Sequence, residues 1–198
     1  EAKIMPGTFN GTTLTISATP VDRAPIPDEG ATNVAGIAIV GSDMYCVKTT
    51  GLKTTLLKTT DYTTAKATAV KKDLNWFALG LTKIGNYLYM LAEDHKGYGG
   101  STTIVKLDTK GNQLGTYNIK NICPNGALGI TAADGTNEKF IIMHYADKSN
   151  AGTLAFSVVD WKAAEAASTF TVTNSGFGYT TRLQDIYYHT SFGLFILT

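Results

Sequence analysis

The chain is poor in several residue types, and each shortage narrows what the protein can be. Only two of its 198 residues are cysteines and five are prolines, and arginine occurs only at Arg23 and Arg182. Charged residues make up 17% and the formal net charge is +1, so no strong positive field attracts nucleic acid or an acidic membrane surface. No run of 18 apolar residues is present. We therefore expect no nucleic-acid partner and no helical membrane span.

The two cysteines give little support for a metal site or a redox motif. Cys46 falls in a predicted strand and Cys123 in a predicted loop before a proline. A disulfide between them is one alternative, and two inert thiols are the favoured one. No second cysteine or histidine lies at metal-ligand spacing, and no phosphate loop or nucleophile elbow is present. The sequence predicts no metal and no cofactor, and its catalytic residues stay unknown.

Apolar and threonine residues are what the chain has in plenty. Hydrophobic residues make up 43%, which is typical of a globular domain and not of a disordered chain. Threonine is abundant, and its branched Cβ favours extended backbone on a half-exposed sheet face. Threonine-rich surfaces of low charge are common on exported bacterial proteins. The expected location is therefore extracellular, cell-surface or periplasmic.

A repeat is the most informative pattern in the sequence. Gly36-Ile-Ala-Ile-Val-Gly-Ser-Asp-Met-Tyr aligns without a gap with Gly80-Leu-Thr-Lys-Ile-Gly-Asn-Tyr-Leu-Tyr, 44 positions later. A third copy begins 49 positions further on, at Gly129. Periods of about 40–50 residues made only of short strands indicate propeller blades. The predicted fold is all-β, a β-propeller of four-stranded antiparallel blades.

The strand pattern predicts about four blades in a single domain spanning residues 1–198. Alternation and turn residues place three full blades at approximately 36–70, 80–119 and 129–173. Residues 185–197 read as two strands of a fourth blade, and we expect 12–21 to pair with them and close the ring. The alternative is that the chain is a fragment of a six- to eight-bladed propeller, completed by further chain segments.

The two aligned copies resemble the first two strands of extracellular and periplasmic β-propellers, with NHL-like blades nearest. The resemblance covers roughly residues 34–197 and is a blade pattern, so the subfamily is not identifiable. The Trp-Asp dipeptide of WD40 blades is missing, and Gly99-Gly100 occurs once, unlike the repeated glycine pair of kelch blades. The resemblance implies a scaffold for ligand or protein binding, or occasionally for a hydrolase or lyase.

One end of the propeller is expected to gather the loops that carry function. It would collect the segments 71–79, 93–101, 121–128, 146–152 and 174–181. The glycine-hinged stretch 93–100 combines carboxylates, an imidazole and an aromatic ring, and Glu93, Asp94 and His95 are the residues among which to seek an acid or a base. The predicted ligand-binding residues are Trp76, Asp94, His95, Tyr98 and Tyr179.

Each of these candidates also has a structural explanation. Trp76 could pack between blades, and His95 could be a solvated surface residue. His144 and His189 fall in strands, where a hydrogen-bonded structural histidine is the better interpretation. The stretch 134–138 resembles a calcium loop but lacks its length and oxygen spacing, so a hairpin turn is favoured. Asp108, at the end of a third strand, is likewise interpreted as a turn residue.

Three functional hypotheses remain open from the sequence. The first is a non-enzymatic binding module of a secreted or cell-surface protein, which recognises a small molecule, glycan or protein through its loops. The second is a propeller hydrolase or lyase acting on an extracellular carbohydrate or lactone, with acids from neighbouring blades converging on 93–95. The third is a structural part of a larger propeller assembly.

Overall fold

The computed structural model describes most of the central chain and short strands at both ends. The described residues are 3–4, 7–9, 14–16, 21–22, 32–60, 67–94, 101–147, 150–173, 185–189 and 193–197. Within them, no helix is long and apolar enough to cross a bilayer. The first eight strands are β1 (Lys3–Ile4), β2 (Gly7–Phe9), β3 (Leu14–Ile16), β4 (Val21–Asp22), β5 (Thr32–Val40), β6 (Asp43–Thr50), β7 (Lys53–Thr59) and β8 (Thr68–Leu74). They are followed by β9 (Trp76–Ile84), β10 (Tyr87–Asp94), β11 (Thr102–Leu107), β12 (Gln113–Asn118), β13 (Ala127–Ala132), β14 (Lys139–Asp147), β15 (Asn150–Asp160), β16 (Ser168–Thr173), β17 (Asp185–His189) and β18 (Gly193–Leu197).

Three consecutive sets of four strands form the predicted blades. The sheet orders are β5-β6-β7-β8, β9-β10-β11-β12 and β13-β14-β15-β16, each antiparallel throughout; we call them blades 1, 2 and 3. The all-β, blade-based fold class is thereby confirmed, and the repeat glycines Gly36, Gly80 and Gly129 all lie in first strands.

Two predicted loops lie largely in strands. The stretch 146–152 was expected to be a loop, but β14 continues to Asp147 and β15 begins at Asn150, because the strands of this hairpin extend further than their alternation suggested. The stretch 71–79 was expected to be a loop, but β8 continues to Leu74 and β9 begins at Trp76, with only Asn75 between them. The charged run from Lys71 to Asp73 looked like a loop because alternation fails there. It is the outer strand of its blade, where both faces meet solvent and charges are tolerated. Asp73 has a φ of 58°, which marks the bend where that strand ends.

The proposed fourth blade is partly described. β17 pairs with β18 in a two-stranded antiparallel sheet, as the alternation of 185–197 indicated. Near the other terminus, β3 pairs with β2, and β4 pairs with β1. The pairing of 12–21 with 185–197, and with it the closure of a single domain, stays a prediction.

The blades stack side by side through their inner strands. β5 contacts β9, β9 contacts β13, and β13 contacts β17. Three apolar clusters fill the successive interfaces: one joins blades 1 and 2, one joins blades 2 and 3, and one joins blade 3 to β17. The hydrophobic core is thus divided into layers between blades, as expected for a sheet array in which each blade buries both of its faces.

Gly36 marks the closest approach between blades 1 and 2. A Cβ atom on Gly36 would lie 2.0 Å from the backbone nitrogen of Leu81. Its φ of 65° also lies in the left-handed region, where side chains are strained. The first glycine of the repeat is therefore required by packing between blades as well as by local backbone geometry.

Threonine side chains tie neighbouring inner strands together. The Thr82 Oγ1 atom accepts a hydrogen bond from the Ala132 backbone nitrogen at 3.2 Å, which joins blade 2 to blade 3. The equivalent Thr131 Oγ1 accepts from the Tyr188 nitrogen at 3.1 Å and joins blade 3 to β17. Both N–H groups belong to the first strand of their sheet, on the edge that pairs with no other described strand. The threonine hydroxyls therefore supply the hydrogen bond that a neighbouring strand would otherwise give. The threonine richness of the sequence therefore has a use between blades, beyond strand propensity.

Candidate functional site at the loop-bearing end of blades 2 and 3

The interface between blades 2 and 3 has two ends of different construction. At the hairpin end lie the tight turns 85–86, 108–112 and 133–138. At the loop-bearing end, the second strand of a blade leads into its third strand, and the segment 119–126 carries the chain from blade 2 to blade 3. Both ends carry a carboxylate at this interface, Glu138 at the first and Glu93 at the second.

Glu93 is the candidate group at the loop-bearing end. It lies near the end of β10, paired with Phe77 on one side and Thr102 on the other. The residue is only 4% exposed, and its Oε2 atom is closed off from solvent. By strand alternation it shares the face of Tyr89 and Leu91, which are part of the cluster between blades 2 and 3. A carboxylate at this depth is unusual, because burying its charge is costly.

The crossover segment brings its backbone close to this carboxylate. A Cβ on Gly126 would lie 4.0 Å from Glu93 Oε1, and Gly126 has a φ of 96° that other residues rarely adopt. The Gly126 carbonyl accepts from the Tyr145 nitrogen at 3.3 Å. The Asn125 side-chain amide donates to the Tyr145 and Ala146 carbonyls at 3.4 and 3.1 Å. The segment is thus fastened to the end of β14 while its glycine faces Glu93.

His144 lies on β14, paired with Ala127 directly after that glycine. It is 5% exposed, and both ring nitrogens have partners. Nδ1 lies 3.2 Å from the Tyr145 carbonyl, which can only accept, so Nδ1 carries the proton and Nε2 accepts from Ser157 Oγ at 2.9 Å. Ser157 Oγ in turn lies 2.8 Å from Thr169 Oγ1. Burial lowers the pKa of His144, and the bond to the Tyr145 carbonyl only partly offsets this. The interpretation of His144 as a hydrogen-bonded structural histidine agrees with this geometry.

Two predicted site residues lie beside Glu93 in the sheet. Asp94 ends β10, is half-buried and pairs in register with Trp76; its backbone nitrogen donates to the Ser101 carbonyl at 3.3 Å. The Trp76 indole is also half-buried, packs against the cluster between blades 1 and 2, and donates from Nε1 to Gln113 Oε1 at 3.1 Å. Trp76 is therefore a strand residue at the other interface of blade 2. Ligand contact by Trp76 or Asp94 stays a prediction.

Three further predicted site residues lie outside the described residues. His95 and Tyr98 fall in 95–100, between β10 and β11, and Tyr179 falls in 174–184, between β16 and β17. The first of these segments begins two residues after Glu93. Their role in ligand binding stays a prediction.

The carboxylate at the hairpin end, Glu138, has a structural role. Glu138 Oε1 accepts from Tyr89 Oη at 2.5 Å and from Lys106 Nζ at 2.6 Å, so that blade 3 is tied to blade 2. The ammonium also lies 4.3 Å from the centre of the Tyr87 ring. Burial by itself raises the pKa of Glu138, but the bonds from Lys106 and Tyr89 outweigh it and the pKa is lowered. Glu138 is held as an ion by its partners.

The turn aspartates are also satisfied locally, as predicted. Asp108 Oδ1 accepts from the backbone nitrogens of Lys110 and Asn112, both at 2.8 Å. Asp134 accepts from the backbone nitrogens of Thr136 and Asn137 at 2.8 and 2.6 Å. The Asn137 nitrogen, then the Thr136 nitrogen and side-chain donors, lower the pKa of Asp134 to about 2. The stretch 134–138 is therefore a turn whose carboxylate is occupied by the chain itself.

The described residues do not gather a metal-binding cluster. No group of three or more His, Cys, Asp or Glu side chains within them is placed to hold a metal ion. Cys46 and Cys123 are both buried and do not form a disulfide, in line with the favoured inert thiols. Among the described residues, Glu93 gives the loop-bearing end the chemistry of a buried carboxyl group. As an ion it accepts hydrogen bonds, and when protonated it can also donate a proton.

The sequence predicted the segment that contains Glu93 but not the contact of that residue with the crossover segment. Glu93 was named as a candidate acid or base together with Asp94 and His95, whereas Asn125 and Gly126 were seen only as loop residues. The Asn-Gly pair after Pro124 is a turn signal that indicates special backbone geometry. Nothing in the sequence shows that this turn faces the end of β10, because the contact joins residues more than 30 positions apart.

Comparison with known proteins supports the fold. No protein-family model matches the chain, and no curated protein matches it in sequence. Among solved structures, the chain is similar to Myxococcus xanthus glutaminyl cyclase, with a TM-score of 0.55 and 15% sequence identity. The similarity covers 92% of this chain and 75% of that chain. With the three four-stranded blades, it shows a β-propeller-type fold whose subfamily is not defined.

Proposed function

We propose that this protein is a ligand-binding β-propeller whose site lies at the loop-bearing end of blades 2 and 3. The observation that carries the proposal is the burial of the Glu93 carboxylate, 4% exposed, against the backbone of Gly126. Propeller sites concentrate where loops meet the ends of the strands, and Glu93 lies at such an end. His95 and Tyr98 follow Glu93 closely in the sequence and are the predicted ligand residues proposed to act with it.

The chemistry of a carboxylate limits the ligand. An ionised carboxylate accepts hydrogen bonds and attracts positive charge, so the ligand group that reaches Glu93 is a donor such as an ammonium, an amide N–H or a hydroxyl. Of the predicted ligand residues, Tyr98 and Tyr179 are the aromatic ones proposed for this site, since an aromatic ring offers a flat surface on which a sugar ring or another planar group packs. A small amine or a glycan fits these requirements best. A protein segment that presents the same donor and planar groups on its surface also fits them. The proposed setting is extracellular, cell-surface or periplasmic.

The first experiment is a thermal-shift screen with small amines, common sugars, small acids, divalent metals and a glutaminyl peptide. We expect at least one amine or sugar class to raise the melting temperature of the wild-type protein. Glu93→Gln should abolish that rise because the neutral amide loses the charge. Glu138→Gln is the matched control at the opposite end of the same interface and should keep the rise. A ligand whose effect survives Glu93→Gln unchanged would place the site elsewhere.

A second candidate function is catalysis with Glu93 as the group that transfers a proton. It is favoured by the buried position of the carboxyl group and by the likeness to glutaminyl cyclase, an enzyme. The hydrolase or lyase hypothesis for an extracellular carbohydrate or lactone belongs here. Turnover of any compound that raises the melting temperature separates the two: Glu93→Asp should retain binding but lose most of kcat if Glu93 acts on a proton. If the wild type binds such a compound but forms no product from it, the catalytic function is rejected and the binding function is retained.

A further inference from the structure

The crossover segment 119–126 ends in a tight turn that carries an Asn-Gly pair. The Gly126 nitrogen donates to the Cys123 carbonyl at 3.2 Å, so Pro124 and Asn125 are the two central residues of a β-turn. Asn125 and Gly126 are both half-buried, whereas Cys123 is 1% exposed in the cluster between blades 2 and 3. The pair therefore lies within reach of water at the edge of a buried interface.

The pair has the composition of a deamidation site. Asparagine is a thermolabile residue, and it reacts most readily before glycine, because no Cβ hinders attack by the glycine nitrogen. In this reaction the Gly126 nitrogen attacks Asn125 Cγ, and the Cγ–Nδ2 bond breaks. The proton of the Gly126 N–H passes through water to the leaving nitrogen, which departs as ammonia, and a succinimide ring remains. Water then adds to either ring carbonyl and opens the ring to aspartate or isoaspartate.

The fold engages both nitrogens that take part in this reaction. Asn125 Nδ2 donates to the Tyr145 and Ala146 carbonyls at 3.4 and 3.1 Å, and the Gly126 N–H donates to the Cys123 carbonyl. The side chain has to leave its acceptors before Cγ can turn to the Gly126 nitrogen. That nitrogen has to lose its own hydrogen bond before base can remove its proton. The folded crossover therefore holds the reaction back, and only its open state reacts.

The product cannot restore these contacts. Aspartate at neutral pH only accepts hydrogen bonds, so both donors from Asn125 to the end of β14 are lost and a negative charge faces two carbonyl oxygens. Isoaspartate also adds one carbon to the main chain directly before Gly126. The Gly126 carbonyl accepts from the Tyr145 nitrogen at 3.3 Å, and its backbone faces Glu93. Either product removes part of what fastens the crossover to blade 3.

We propose that Asn125 is a deamidation site that the folded crossover protects, and that its conversion irreversibly releases the crossover from the end of β14. The modification marks chains in which the interface between blades 2 and 3 has opened. The protection comes from the crossover alone and does not depend on a ligand at Glu93. The second Asn-Gly pair of the sequence, Asn10-Gly11, lies outside the described residues and has no part in the proposal.

The first test compares the rate of deamidation in the folded and the unfolded full-length chain. Both are incubated at mildly alkaline pH, the second in guanidinium chloride, and peptide mapping by mass spectrometry assigns each mass gain to its asparagine. Asn125 should convert readily in the unfolded chain and about tenfold or more slowly in the folded one, because only the open fraction reacts. Asn112 and Asn137, which precede Gln113 and Glu138, are internal controls and should convert little in either state. Equal rates in the two states, or no conversion in the unfolded chain, would overturn the proposal.

The second test asks whether conversion releases the crossover. Asn125→Asp supplies the product charge directly. Asn118→Asp is the matched control, since it adds the same charge just before the crossover, where Oδ1 accepts from the Lys120 nitrogen at 3.0 Å and an aspartate can do the same. Asn125→Asp should lower the melting temperature and speed amide hydrogen exchange at Gly126 and Tyr145 about tenfold or more, while Asn118→Asp behaves like the wild type.

Equal exchange in the two variants would show that the Asn125 amide fastens nothing and would overturn the proposal. Deamidated wild-type protein, separated by its added charge, should exchange like Asn125→Asp. The rate comparison between folded and unfolded chain stays decisive even where Asn125→Asp does not fold.

Discussion

The carboxylates at the two ends of the interface between blades 2 and 3 lie in different surroundings. At the hairpin end, Glu138 is bonded to Lys106 and Tyr89, and Asp134 is saturated by the donors of its own turn. At the loop-bearing end, Glu93 is more deeply buried and faces the backbone of a glycine. The comparison teaches that depth of burial and position must be considered together. Carboxylates in the hairpin turns explain the fold, and Glu93 invites a functional explanation because it is 4% exposed at the end of the interface where the loops lie.

The hairpin end should dominate stability, and truncation of its aromatic centre should have the largest effect. Phe140 is fully buried and its ring lies 5.0 Å from that of Tyr89 and 6.3 Å from that of Trp161. Phe140→Ala should lower the free energy of unfolding by about 3–5 kcal/mol, because it leaves a cavity between the blades. Urea unfolding measures the change. Phe170→Ala, at a position 47% exposed, is the control and should cost far less.

At the loop-bearing end, the backbone of the crossover should be the sensitive point. Gly126→Ala places a side chain at a φ of 96° and should destabilise the protein by about 1–2 kcal/mol. The same variant should weaken any ligand that contacts Glu93, since the new methyl group lies near Oε1. Gly135→Ala, where a Cβ would meet nothing within 4 Å, is the matched control. Equal destabilisation of both variants would contradict the assigned role of Gly126.

Removal of the Tyr89 hydroxyl at the hairpin end should lower stability without changing the response to ligand. Tyr89→Phe deletes the donor to Glu138 but keeps the ring in its cluster, and should cost about 1 kcal/mol of unfolding free energy. Ligand-induced stabilisation should be unchanged, because the hydroxyl lies at the end away from Glu93. A loss of ligand response in Tyr89→Phe would show that the two ends are coupled and would undo their separation into structural and functional roles.

The smallest effect should be a pH dependence that comes from His144. Burial lowers its pKa in the folded protein below the usual value of 6.5, so the unfolded chain binds the proton more readily. The His144 contribution to stability is therefore complete above pH 6.5 and is lost as pH falls from there towards the folded pKa. Melting temperatures measured from pH 7.5 to 5 check this. In His144→Gln the decline across that window should be shallower, and an identical decline would contradict it.

Much of the fold could be predicted from the sequence because its signals are local. The turns after Val40 and Ile84 and the hairpin at Asp108 fix where strands begin and end, and the strands of blade 2 agree with the expectation to within a few residues at each boundary. The end of the outer strand β8 was not predicted, because the charged residues Lys71 and Lys72 interrupt the alternation of apolar and polar side chains.

The site was less predictable, because it depends on contacts between distant segments. Glu93 could be named, with Asp94 and His95, from the polar and aromatic composition of 93–100, but its contact with the crossover at Gly126 could not. Trp76 had been expected on a loop and lies in a strand, because the connection from β8 to β9 is a single residue. Side-chain type alone can suggest candidate site residues. Choosing between them requires knowing how one blade packs on the next.

Cys123 gives the interface between blades 2 and 3 an internal reporter. The thiol is 1% exposed within that cluster, and burial raises its pKa to about 12. Alkylating reagents react with the thiolate, so at neutral pH the folded protein should be almost inert to them. Modification of Cys123 then records an opening that exposes this interface, by separation of the blades or by release of the crossover 119–126, and its rate follows the population of that open state in the wild-type protein. A ligand that clamps the blades together should slow this reaction without touching the sulfur atom.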